Sequence, residues 1–189
     1  MPRVETIKKA RKDYPNDEIK KGDTYYKWSF NFGPTFKSLV YPTRSQLTRS
    51  DFLGQLYDME DGLSTRFEGL DNESDIEAAR DDLVGDIQNL LDETQERLEG
   101  MPEQLRETSQ SGETLQERVD GLEGWVSDLE SIDTSVDEDF DSEEVDEEDF
   151  DEGEDPKEAK QRIMDERSQG KEDRIQEIID EILETSANL

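Results

Sequence analysis

Residues 133–155 carry 15 carboxylates in 23 positions, with no basic side chain among them. Carboxylates at that density can hold a divalent cation, repel one another into a solvated linker, or imitate a polyanion. The cation reading lacks a frame: there is no EF-hand spacing, and Asp151-Glu152-Gly153-Glu154-Asp155 shares only its composition. Two aromatics sharpen the third reading. Phe140 and Phe150 sit in the near-repeats Asp139-Phe140-Asp141 and Asp149-Phe150-Asp151. Carboxylates there can stand for phosphates and rings for bases, as in a single-stranded nucleic acid. The basic counterpart lies at the other end of the chain. Residues 1–50 hold eleven Lys and Arg against five acids, a net of +6, so the remainder carries −37 of the total −31. Lys20, Lys21, Tyr25, Lys27, Lys37 and Arg44 are therefore the candidate nucleic-acid-binding residues. The acidic tract becomes their candidate internal competitor.

Other chemistry finds little material. Neither Cys nor His occurs, which removes thiol and imidazole nucleophiles, the commonest general base, disulfides and the preferred zinc ligands. No Gly-rich phosphate loop is present. The chain is expected to bind rather than catalyse, with no catalytic residue, cofactor or metal. No apolar run reaches the length of a membrane span, and Met1-Pro2-Arg3-Val4-Glu5 lacks the apolar core of a secretory signal, so a cytoplasmic setting is expected.

The elements that must position these residues follow from periodicity. In Thr24 to Phe32, Tyr26, Trp28, Phe30 and Phe32 alternate with Lys27, Ser29 and Asn31, which predicts a strand with four aromatics on one face. That face reads as core and the opposite one, with Tyr25 and Lys27, as the nucleic-acid candidate. Gly33-Pro34-Thr35 turns the chain into a second strand over Phe36 to Tyr41, giving a β-hairpin. Thr48 or Ser50 caps a helix carrying Phe52, Leu53, Leu56, Tyr57 and Met59 at helical spacing, the expected cover of the hairpin.

The centre is a seven-heptad stripe. Its a positions are Val84, Leu91, Leu98, Leu105, Gly112, Val119 and Val126, and its d positions Ile87, Thr94, Met101, Thr108, Leu115, Leu122 and Leu129. Pro102 predicts a kink, and Ser109-Gln110-Ser111-Gly112 the tip of a helical hairpin. Helices over about residues 74–108 and 113–131 would then pair Leu90, Leu98 and Leu105 with Leu115, Leu122 and Trp125. A parallel dimer through the same coiled coil is the alternative. Asp155-Pro156 opens a last amphipathic helix over about 157–185, with Gly170 a candidate interruption.

The expected fold is α+β and mostly α. A basic hairpin-and-helix head spans 1–62, an antiparallel coiled-coil helical hairpin 63–132, a disordered acidic linker 133–156 and a C-terminal amphipathic helix 157–189. Residues 51–132 hold 24 acids against five Arg and no Lys, a balance also suited to a saline habitat.

The run Ile19-Lys20-Lys21-Gly22-Asp23-Thr24-Tyr25-Tyr26-Lys27-Trp28-Ser29-Phe30-Asn31-Phe32-Gly33 resembles an N-terminal module of uncharacterised bacteriophage proteins. So do Pro42 to Thr48, Met101-Pro102-Glu103-Gln104-Leu105 and Leu115-Gln116-Glu117-Arg118. The resemblance covers about residues 5–132 and implies a phage protein in a bacterial host cytoplasm; it implies no function and no site residues. Lys27 and Asn31 depart from the aromatic and basic residues more usual there. The expected function is a phage accessory protein binding a macromolecule, nucleic acid or protein. The alternatives are a virion scaffold oligomerising through the coiled coil and an acidic DNA mimic acting on a host protein.

Overall fold

The computed structural model describes residues 1–31, 33–137, 140 and 155–187. The protein is α+β and mostly helical, with one three-stranded antiparallel sheet. It divides into two compact units, residues 1–61 and 62–189. Phe150 and most of the acidic tract lie outside the described residues, as does Phe32.

In the first unit, β1 (Glu5–Ile7), β2 (Tyr25–Ser29) and β3 (Thr35–Ser38) lie side by side in chain order. The expected hairpin is thus widened by a strand from a stretch that reads only as basic and turn-rich. Ile7 faces Tyr25 across β1–β2, and Trp28 faces Phe36 across β2–β3. On one face the Trp28 ring stacks on Phe36 at 5.7 Å, and Tyr26 meets Tyr41 edge-on at 5.2 Å. On the other, Ile7 and Tyr25 are covered by Ala10, Tyr14 and Ile19 from the intervening segment. That segment is closed by Ala10 N–H donating to Asp23 O at 2.8 Å and Gly22 N–H to Ala10 O at 2.9 Å. Gly22 sits at φ +103°, a conformation that favours glycine. The strands are shorter than expected. β2 stops at Ser29, because the Gly33 amide turns back onto Phe30 O at 3.0 Å. β3 stops at Ser38, whose hydroxyl accepts the Val40 amide and leaves Leu39, Val40 and Tyr41 exposed.

Helix α1 (Asp51–Phe67) runs from the first unit into the second. Of the two cap candidates Ser50 is the one used, its hydroxyl accepting the Leu53 amide at 3.3 Å.

The second unit is helical: α2 (Glu73–Glu99), α3 (Glu103–Thr108), α4 (Gln110–Ser131) and α5 (Pro156–Glu184). Arg80 donates to Ile132 O at 3.2 Å and Gln95 to Glu123 at 3.1 Å, which fixes α2 and α4 as antiparallel neighbours. The hairpin is therefore intramolecular, and the chain spends its apolar stripe on itself. Its bend differs from expectation. Pro102 has no N–H to continue a helix and disfavours helical geometry before it, so α2 ends at Glu99 instead of kinking. The reversal runs over residues 100–109, and α4 already begins at Gln110. Leu105, assigned to the seam, is consequently 51% exposed. Thr94, also in the seam, is buried without cost to its hydroxyl, which donates to Leu90 O at 2.7 Å.

Helix α5 is not held apart from the body. Its Ile175, Ile178, Ile179 and Ile182 are buried, and Trp125 of α4 donates to Thr185 just past its end at 2.9 Å. Leu83, Leu90 and Trp125, all off the heptad seam, are buried as well, so the stripe is wider than a two-helix seam needs. Gly170 does not interrupt α5.

The caps give a first prediction. The Asn72 carboxamide oxygen accepts the Asp75 amide at 2.9 Å and opens α2. Asn72→Ala should lower the urea midpoint by an amount worth about 1 kcal/mol at unchanged m. Asn89→Ala, at an exposed position inside α2, should lower it not at all.

Candidate anion-binding groove

Within the first unit, a cavity of about 700 Å3 opens between the N-terminal residues, the end of β2, the turn before α1 and the first turns of α1. Such a volume lies in the range of ligand sites. Three cations line it, Arg3, Lys27 and Arg49, against one acid, Glu5. Three aromatics join them: Trp28, Phe30 and Tyr57.

Each side chain is placed by a local reason. Arg49 follows the short 3-10 turn Ser45–Leu47; its guanidinium donates to Asn31 O at 2.7 Å and lies 5.0 Å from the Phe30 ring centre. Gly33 makes that possible, since a Cβ there would stand 2.9 Å from the Arg49 guanidinium. Lys27 pairs with Glu5 across the β1–β2 register at 3.7 Å, both half-exposed, so the pair is weak and separable. Trp28 is 6% exposed, and its indole N–H has no hydrogen-bond partner among the described residues. An unpaired buried donor costs about 1–3 kcal/mol.

The six residues expected to bind nucleic acid are dispersed. Only Lys27 lines the groove. Tyr25 is 6% exposed within the small core described above, and a buried ring offers no face to a base. Its phenol is held above the usual range by hydrogen bonding with Tyr14 and by burial. Lys37 pairs with Asp17 at 3.7 Å and lies over the Tyr14 ring at 4.1 Å. Arg44 is tied to Asp61 and Glu60 and stacks on Tyr57; its bond to Asp61 raises its pKa further. Lys20 and Lys21 remain exposed on the turn at Gly22. Of the two acidic-tract aromatics, Phe140 is half-buried in the second unit and Phe150 is outside the described residues.

The groove instead recruits Arg3 and Arg49, which sequence reasoning passed over. Their only sequence signal was membership of the basic head. Among the described residues no group of carboxylates is arranged to hold a metal, and no helix is long and apolar enough to cross a membrane. No family model, curated protein or solved structure matches the chain.

Proposed function

We propose that this is a non-enzymatic binding protein whose head takes single-stranded nucleic acid in the Trp28 groove. One observation carries the reading: three cations against one acid line a groove that also holds the aromatics Trp28, Phe30 and Tyr57. A nucleic-acid strand supplies what each wall asks for. Phosphates answer Arg3, Lys27 and Arg49, and base faces answer Phe30 and Tyr57. The acidic tract is the internal competitor, offering carboxylates to the same cations. The resemblance of the head to bacteriophage proteins supports a phage accessory role in the host cytoplasm.

The test is anisotropy of a labelled single-stranded oligonucleotide against the full chain across a salt series. Each phosphate contact removed should reduce the log K–log salt slope by about 0.7, so Arg3→Gln with Arg49→Gln should flatten it by about 1.4. Changing the acids of residues 141–154 to their amides should tighten binding and steepen the slope. Unchanged binding in both variants would sink the proposal.

A further inference from the structure

A second site lies on α5, within the second unit. Glycine in the middle of a helix is destabilising by about 0.5–1 kcal/mol relative to alanine, so Gly170 at the centre of a 29-residue helix asks for a reason. The reason is a ring. A Cβ on Gly170 would come within 2.7 Å of Phe140 Cε1, so the missing side chain is the notch into which Phe140 fits. Ile163, Glu166, Arg167, Gly170 and Arg174 follow the three- and four-residue spacing of one helix face. Phe140 and Arg174 share one cavity of about 640 Å3. Phe140 also lines another of about 440 Å3, with Arg162, Ile163, Glu166 and Arg167. The ring thus stands between two openings, half-exposed, on a face rich in arginine.

The approach to the notch is also built. Arg174 donates to Asp133 O at 3.0 Å and Ser135 O at 3.4 Å, and Glu73 accepts the Val136 amide at 3.1 Å. The two Arg174 bonds lay residues 133–135 towards α5, and the Glu73 bond ties Val136 to the start of α2. The Phe140 amide donates to Asp137 O at 3.1 Å, closing its own turn rather than bonding to the helix. The ring is therefore held by its fit to the notch. In sequence it is flanked by Asp139 and Asp141, the complement of an arginine face.

We propose that the Gly170 notch is a peptide-binding site for a phenylalanine flanked by carboxylates, filled in cis by Phe140 and open to an acidic segment of a partner protein when Phe140 leaves. The apolar ring supplies seating and the carboxylates supply orientation against Arg162, Arg167 and Arg174.

The probe is a labelled peptide Asp-Glu-Asp-Phe-Asp, the sequence of residues 137–141, titrated against full-length Phe140→Ala. Phe140→Ala should bind it at least about tenfold more tightly than the native chain, because a tethered occupant competes at high effective concentration. Adding Gly170→Leu should abolish binding; leucine is a better helix former than glycine, so circular dichroism should show α5 intact. If that variant loses helicity, Arg167→Gln in the Phe140→Ala background replaces it and should weaken binding and its salt dependence. A peptide with Ala for Phe should not bind. Failure of Phe140→Ala to bind the peptide, or binding indifferent to both the notch and arginine changes, overturns the proposal.

Discussion

Replacing Trp125 with alanine should lower the unfolding free energy by about 3–5 kcal/mol, the range for truncating a buried tryptophan. Trp125 is fully buried on α4. Its ring occupies the level at which α4 must meet the end of α5, and its indole N–H donates to Thr185 Oγ1 at 2.9 Å. Thr185 in turn donates to Ile182 O at 2.8 Å, closing the last turn of α5. Truncation therefore opens a cavity and unties the C-terminus of α5 at once. Trp125→Phe keeps most of the apolar volume and loses the hydrogen bond, so it should cost about 1–2 kcal/mol. Leu105→Ala, at an exposed position, should stay within about 0.5 kcal/mol. Urea unfolding followed by far-ultraviolet circular dichroism separates the three. A domain of ordinary stability has about 5–15 kcal/mol in all, so the first variant sits near the edge of folding. A loss under about 1 kcal/mol for Trp125→Ala would mean that α5 is not seated on α4 in solution.

The helical part of this architecture was legible because periodicity is a local signal. Val84, Ile87, Leu98, Val119, Leu122 and Leu129 fall on the heptad stripe and are all buried. The stripe misplaced Leu105 and Thr108, since it carried helical register through Pro102, where the backbone cannot follow. It also undercounted: Leu90 and Trp125, expected in the hairpin pairing, are buried, but so is Leu83, and no local pattern shows that apolar residues beyond an acidic tract will share their unit. The sheet shows the same division. The alternation around Trp28 announces β2, whereas β1 contributes one apolar residue, Ile7, and acquires its identity only by pairing with Tyr25.

Charge was legible as a total and illegible as a distribution. The head has a surplus of cations, yet Lys37 and Arg44 are answered by Asp17 and by Asp61 and Glu60, partners 20 and 17 residues away at their furthest. Composition counts such residues as binding capacity, although the fold has already used it. Arg3 and Arg49 sit 46 residues apart and meet only through the groove. Trp28, read as core, is core by burial and also lines the groove, a double role that no pattern of residue types can show.

Glycine-to-alanine substitutions should change sign along the α2–α4 hairpin, and the largest loss should come at Gly112. Gly85 and Gly124 lie inside α2 and α4 with nothing near an added Cβ, so alanine there should stabilise by about 0.5–1 kcal/mol. Gly112 lies in the first turn of α4, its amide donating to the capping hydroxyl of Ser109 at 3.1 Å. A Cβ there would strike the Arg106 carbonyl oxygen and stand 2.8 Å from Arg106 Cα. Those atoms are backbone and cannot rotate aside. Nor can α3 swing away freely, because Arg106 donates to Glu99 O at 2.8 Å and Met101 O at 3.3 Å, tying α3 to the end of α2. Gly112→Ala should therefore cost about 1–3 kcal/mol by overpacking, despite alanine's better helix propensity. The residue that reads as a turn former is helical, and it is glycine because two pieces of backbone need its space. Equilibrium unfolding of the three variants is the check. Stabilisation at Gly112 equal to that at Gly85 would mean that the corner between α3 and α4 leaves room for a methyl group and that Arg106 does not pack against Gly112 in solution.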